Sequence, residues 1–154
     1  MEKEECMNLS KKSRYGLRAL TDLAINSKRE QVPLNLIAQR NGISPQYLEQ
    51  VFASLRKAGL VKSVKGSQGG YFLAREPEKI ALSEILETLD GSYRIEAEQA
   101  EDEGESGGIA EAIQKTLIDP VNTQLDHLLK SITLADLEKA CLSYREQGQD
   151  MYYI

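Results

Sequence analysis

Two helical patterns near the start of the chain are separated by a three-residue turn, Asn41-Gly42-Ile43, and the second restarts at Ser44-Pro45. Gly42 suits the left-handed residue that follows a helix end. Serine is a good N-cap, and proline fits the first helical position, where its missing N–H costs nothing. The helix before the pair spans 12–27, with Leu17, Leu20, Leu23 and Ala24 at helical spacing. A short helix runs from Leu34 to about Arg40. The helix opened by Pro45 runs to about Ala58, with Leu48, Val51, Phe52 and Leu55 on one face, and Gly59 ends it. Apolar and polar residues then alternate from Leu60 to Lys65, a strand pattern. Gly66-Ser67-Gln68-Gly69-Gly70 makes a glycine-rich loop, and Tyr71-Phe72-Leu73 a second strand. Helix, tight turn, helix and hairpin in this order predict a winged helix-turn-helix over 9–80.

The remainder predicts helices. One covers 82–89, with Ile85, Leu86 and Leu89. Residues 96–108, EAEQAEDEGESGG, carry no large apolar side chain and predict an acidic surface loop. A long helical pattern follows, with Ile113, Leu117, Leu125, Leu128, Leu129 and Ile132 as its apolar positions. Pro120 interrupts it, either as part of a fresh start at Asp119-Pro120 or as a kink. Thr133 and Asp136 have the spacing of a capping box, opening a last helix over 134–147. Residues 1–8 are expected to fray, and Gly148-Gln149-Asp150 to link flexibly to an apolar end, Met151-Tyr152-Tyr153-Ile154. The expected fold is mainly α with a small β-hairpin, of the α+β class. A helical dimerisation and regulatory region, 81–147, would follow the DNA-binding domain, with 148–154 as a tail. The stripe Ile113, Leu117, Leu125, Leu128 and Leu129 has little other protein to cover it in so short a chain, which predicts a homodimer.

Charge divides the chain. Residues 1–75 hold 13 Lys/Arg against 6 Asp/Glu, net +7, whereas residues 76–154 hold 6 against 18, net −12. The whole-chain pI of about 5.0 conceals this. A basic half that contains a winged helix-turn-helix points to double-stranded DNA. Ser44, Gln46, Tyr47 and Gln50 lie at the start of the second helix of the pair, where glutamine can bond a base edge with two hydrogen bonds. Lys11, Lys12, Arg14 and Arg18 open the first helix; Lys62, Lys65, Ser67 and Gln68 lie on the wing. A solvated charged face on a winged-helix adaptor that binds no DNA is the alternative. Enzymatic chemistry is disfavoured, because one histidine, His127, assembles no nucleophile–base pair and no histidine metal site. Cys6 and Cys141, the two cysteines, form no closely spaced ligand pair. No apolar run approaches the roughly 18 residues of a membrane span, and the N-terminus has no apolar stretch after its charges, so a cytoplasmic protein without membrane contact is expected.

Several motifs together resemble the Rrf-two family of bacterial regulators: Leu9 to Gly16, Gly42 to Ser44 with Tyr47 to Gln50, Leu55 to Val61, Gly66 with Gly69 to Tyr71, and Ile132 to Leu137. The resemblance implies winged-helix dimers on palindromic operators. It implies reading positions at Gln46, Tyr47, Glu49 and Gln50, a basic wing position at Lys65, and a dimer helix over 109–131; Tyr15, an aromatic residue of the DNA-facing half, is expected at the DNA as well. Many members hold an iron–sulfur cluster through three cysteines in the loop before that helix. Here the loop has none, so no cofactor is expected. The cluster-free branch of the family includes a repressor of cysteine metabolism, whose members end in an aromatic pair and isoleucine. By that resemblance, Tyr152, Tyr153 and Ile154 would engage O-acetylserine thiol-lyase, the cysteine synthase. A regulator of another regulon, sensing a small molecule or thiol oxidation, is the alternative.

Overall fold

The structure is a computed structural model describing residues 9–66, 69–99 and 107–152, with side chains described to residue 148. Helix α1, Lys11–Asn26, starts at Ser10, whose hydroxyl accepts the Ser13 N–H at 3.0 Å. Helix α2, Leu34–Asn41, ends at Gly42, whose φ of 64° is left-handed, as the turn required. Helix α3, Pro45–Lys57, begins at Ser44, whose hydroxyl accepts the Tyr47 N–H at 3.1 Å. Strands β1, Val61–Val64, and β2, Gly70–Leu73, pair antiparallel, with Val61 opposite Leu73 and Val64 opposite Gly70.

A further pairing was not legible in the sequence. Val32, in the link between α1 and α2, bridges Tyr71 through N–H···O bonds of 3.0 and 2.9 Å. The wing is thereby tied to the helix pair on its inner strand. That close approach explains Gly70. A Cβ there would stand 2.9 Å from the Val32 carbonyl oxygen, a backbone atom that cannot step aside.

One core joins α1, α2, α3 and the wing to helix α4, Leu82–Asp90, and to Leu134. Phe52, Leu20, Leu23, Ile37, Leu48, Leu55, Leu60, Ile80, Ile85 and Leu134 are its largest fully buried members. It runs across residue 80 without a break. Two backbone bonds fasten the seam, Leu82 N–H to Ile132 C=O and Leu134 N–H to Ile80 C=O, both 2.9 Å.

The chain then forms helix α5, Ile109–Ile113, a π-helical turn, Gln114–Ile118, and helix α6, Asp119–Ser131. Pro120 therefore neither splits the stretch nor needs a fresh cap. A proline cannot donate to the preceding turn and its ring crowds the carbonyl four residues back. The widened π turn lies directly before it, and the helical path continues. Helix α7, Leu134–Tyr152, opens on the expected capping box: Thr133 N–H donates to Asp136 Oδ2 at 2.8 Å, and Asp136 N–H to Thr133 Oγ1 at 3.3 Å.

The end of α7 corrects the sequence reading. Gly148-Gln149-Asp150 is helical, not a flexible connection, and the helix continues through Tyr152. One glycine costs a helix about 1 kcal/mol, and the nineteen-residue helix absorbs it. Tyr153 and Ile154 lie outside the described residues, as do the 1–8 tail with Cys6, the wing-tip residues Ser67 and Gln68, and 100–106 of the acidic loop.

Candidate nucleic-acid interface

Helix α3 buries Leu48, Val51, Phe52 and Leu55. Helical spacing then turns Gln46, Glu49 and Gln50 outward, and all three are exposed, as is Ser44. Gln46 and Gln50 are separated by four residues, so they stand one above the other on that face. Glutamine amides there can bond adenine in the major groove, and the Glu49 carboxylate can accept from a cytosine amino group.

Tyr47 departs from its expected exposure. It is half-buried against the core, because it begins the apolar stripe that Leu48 and Val51 continue. Its ring meets Tyr15 edge-on, with centroids 5.6 Å apart and planes at 87°. Tyr15 is half-buried too, with Lys11 Nζ at 5.4 Å and Arg18 Cζ at 5.6 Å from its ring centroid. The two tyrosines are thus first a packing joint between α1 and α3, and they hold two cations beside the reading face. Lys11 and Arg14 are exposed and Lys12 is half-exposed. Arg14 Nε donates to the Leu9 carbonyl at 3.1 Å, which fixes it at the helix start. On the wing, Lys62 and Lys65 are exposed, and Tyr71 packs beneath, its ring 4.7 Å from that of Phe52.

Two carboxylates orient these elements, and the sequence reading passed over both. Asp22 is buried on α1 and accepts from both Arg40 Nε, at 2.9 Å, and Arg40 Nη2. It also accepts from Asn41 at 2.9 Å and Asn26 at 3.1 Å. The Asp22 hydrogen bond raises the pKa of Arg40, against the opposing effect of burial. These bonds pin the end of α2, and hence the turn into α3, to α1. The available signal was an acid between Leu20 and Leu23 on an otherwise apolar stripe. Asp90, at the end of α4, accepts from the hydroxyls of Ser10 and Ser13 and anchors the basic start of α1.

The segment before the long helix is held by polar side chains. Asn122 brackets Ile95, accepting its N–H at 2.8 Å and donating to its C=O at 3.0 Å. Asp126 accepts from the Tyr93 hydroxyl and from Arg94, and Gln114 accepts the Glu98 N–H at 2.7 Å. Burial, then the Asp126 hydrogen bond, pushes the Tyr93 hydroxyl up to about 12. The Tyr93 and Arg94 hydrogen bonds hold the Asp126 carboxyl below the usual carboxylate range. The donor set does not fit a cysteine-ligated cluster. Residues 92–108 include no cysteine, and no group of three His, Cys, Asp or Glu side chains able to hold a metal occurs among the described residues. Cys141 lies on α7 and is partly buried.

The apolar positions of the long stretch divide between two faces. Ile109, Ile113, Leu117 and Leu128 are exposed at 59%, 37%, 55% and 53%, too much apolar surface for one helical face in water. Leu125 is half-buried and lines the same outer face with Val121 and His127. Leu129 does not belong to that stripe: it packs against the molecule's own core. Helical spacing from Ile118, which is buried, to Leu129 and Ile132, which pack against the core, explains the turn inward.

No helix among the described residues is long and apolar enough to cross a membrane. Residues 9–140 match the Rrf2 family, described as an iron-dependent transcriptional regulator. The chain is 38% identical over 133 residues to the HTH-type transcriptional regulator IscR of Vibrio campbellii, covering 86% of this chain and 78% of that one. Its fold is similar to that of CymR (YrzC), the global cysteine regulator of B. subtilis. The TM-score is 0.69 at 34% identity, over 86% of this chain and 97% of CymR. It is similar also to IscR of T. potens, with a TM-score of 0.68 at 40% identity over 95% of this chain and 96% of that one. These relatives are transcriptional regulators rather than enzymes. With a winged helix-turn-helix built as described and a family match over most of its length, the chain belongs to the Rrf2 family of DNA-binding transcriptional regulators.

Proposed function

We propose that this protein is a homodimeric repressor that binds a palindromic operator through α3 and the wing, without an iron–sulfur cluster, and controls genes of cysteine and sulfur metabolism. The observation that carries the operator reading is the exposed trio Gln46, Glu49 and Gln50 on a core-anchored helix, in the same basic half of the chain as Lys11, Lys12 and Arg14 on α1 and Lys65 on the wing. Mapping the chain's genomic sites, followed by gel shifts on the recovered fragments, tests this reading. Retention of no specific site would leave the adaptor alternative. Sites upstream of genes outside sulfur metabolism would replace the regulon. The cysteine reading is supported by likeness to CymR. The proposed thiol-lyase contact, through Tyr152, Tyr153 and Ile154, follows from the resemblance to the repressor of cysteine metabolism. Deleting Ile154 and measuring affinity for the cognate synthase by calorimetry tests it.

Lys11 should act as a phosphate contact. Lys11→Ala is expected to weaken operator and random DNA alike and to lower the slope of log affinity against log salt by about one. Gel shifts across a salt series measure this; a loss confined to the operator would instead place Lys11 on a base.

The dimer is proposed to close over Ile113, Leu117 and Leu128, two copies of the same face meeting across a twofold axis. Sedimentation at micromolar concentration should then give a dimer. The double variant Leu117→Asp, Leu128→Asp should sediment as a folded monomer, since it places charges on the face that must be desolvated. A monomeric parent chain would exclude this interface.

Purified without oxygen, the protein should be colourless, because the loop over 92–108 offers no thiolate to iron. A visible absorbance band that a chelator bleaches would contradict that expectation.

A further inference from the structure

A cavity of about 430 Å³ lies between α1 and α7. Its walls are apolar: Leu17 and Ile25 from one helix, Leu137 and Cys141 from the other. Two guanidinium groups, Arg18 and Arg145, also line it, and both are solvent-exposed. Among the described residues neither has a carboxylate partner; Arg18 meets only the Tyr15 ring. The one acid lining the space is Asp22, and its carboxylate is already engaged by Arg40, Asn41 and Asn26. The space therefore has an apolar interior and an unbalanced positive charge.

We propose that this cavity is a binding site for a small organic carboxylate with a branched or aromatic apolar body. Its volume falls within the range of small-molecule sites, which are mostly apolar with a few placed polar groups. The apolar body would be buried between α1 and α7, and the carboxylate would accept from Arg18 and Arg145, a charge-assisted contact suited to the planar fork of arginine. Phosphate esters and other strongly hydrated anions would gain little from the apolar walls. Asn41, the last residue of α2, also lines the space, and Arg18 touches the tyrosine that packs on α3. An occupant would thus contact the elements that carry the reading face.

The test uses the full chain labelled with nitrogen-15 and two probes of equal shape, phenylacetate and its uncharged amide, without DNA. Phenylacetate should shift amide resonances of residues 17–25 and 137–145 saturably at millimolar concentration, with the amide at least fivefold weaker. Arg18→Gln and Arg145→Gln should each weaken phenylacetate about tenfold, the scale of one hydrogen bond to a charged group, and leave the amide unchanged. Ala140→Leu, which adds bulk at the cavity lining, should weaken both probes while the spectrum of the folded chain persists. No saturable shifts, equal response to both probes, or shifts mapping to other helices would each overturn the proposal. Because no DNA is present, such a failure leaves the operator reading standing, and a failed operator assay leaves this site standing.

Discussion

On operator DNA, the double variant Gln46→Ala, Gln50→Ala is expected to bind about a hundredfold more weakly than the parent chain, with affinity for random duplex nearly unchanged. Each bidentate glutamine–adenine pair discriminates by roughly 1–3 kcal/mol, and two such losses in each half-site easily exceed the 2.7 kcal/mol that a hundredfold requires. Random-duplex binding depends on cations instead. Those cations sit on α1 and the wing, on Lys11, Lys12, Arg14 and Lys65, and the substitutions leave them in place. Neither glutamine packs in the core, so folding is expected to be intact. Gel shifts at one fixed salt concentration, on operator and on a scrambled sequence, provide the comparison. Equal losses on both would show that the α3 face positions the protein without reading bases.

Asp22→Ala is expected to destabilise the fold by about 3 kcal/mol, the lower end of the cost of removing one partner from a buried ion pair. The lower end applies because the Arg40 side chain is 35% exposed and can recover some water, whereas Asp22 is 8% exposed. The substitution also removes the acceptor that Asn41 and Asn26 share. In a chain of this size, 3 kcal/mol corresponds to a fall of about 6–12 °C in Tm. Arg40→Ala should cost at least as much, since it leaves a carboxylate buried without its cation. Urea unfolding of both variants measures the effect. A change below 1 kcal/mol for Asp22→Ala would mean that the apolar contacts of Ile37 and Ala38 alone hold α2 against α1. Because the turn into α3 follows directly from Asn41, operator affinity of the folded fraction should fall as well.

The local signals were legible because their energetics are local. Gly42 takes a positive φ, Ser44 caps α3 through a residue three positions on, and Thr133 and Asp136 cap each other across the same interval. The hairpin follows from alternation flanking a glycine-rich loop. The charge asymmetry marks the half of the chain that carries the interface, because charge is a property of composition.

Tertiary structure decided what depends on distant partners. The face on which Leu129 lies is set by packing of α6 against the core, and the helical register through the π turn before Pro120 cannot be counted from a uniform 3.6-residue period. Tyr47 looks like a polar-tipped reading residue until Tyr15, on another helix, claims its ring. Gly148 signals a break, yet α7 runs through it. Asp22 stands out on an apolar stripe and Asp90 looks like an ordinary surface acid, but neither names its partners, which lie on α2 for Asp22 and at the start of α1 for Asp90. Sequence by itself determined where the helices start, where the chain turns and which half is basic, since each rests on interactions spanning a few residues. The orientation of the reading face, and the cavity between α1 and α7, exist only once residues as far apart as Ser13 and Asp90 or Leu17 and Leu137 are brought together.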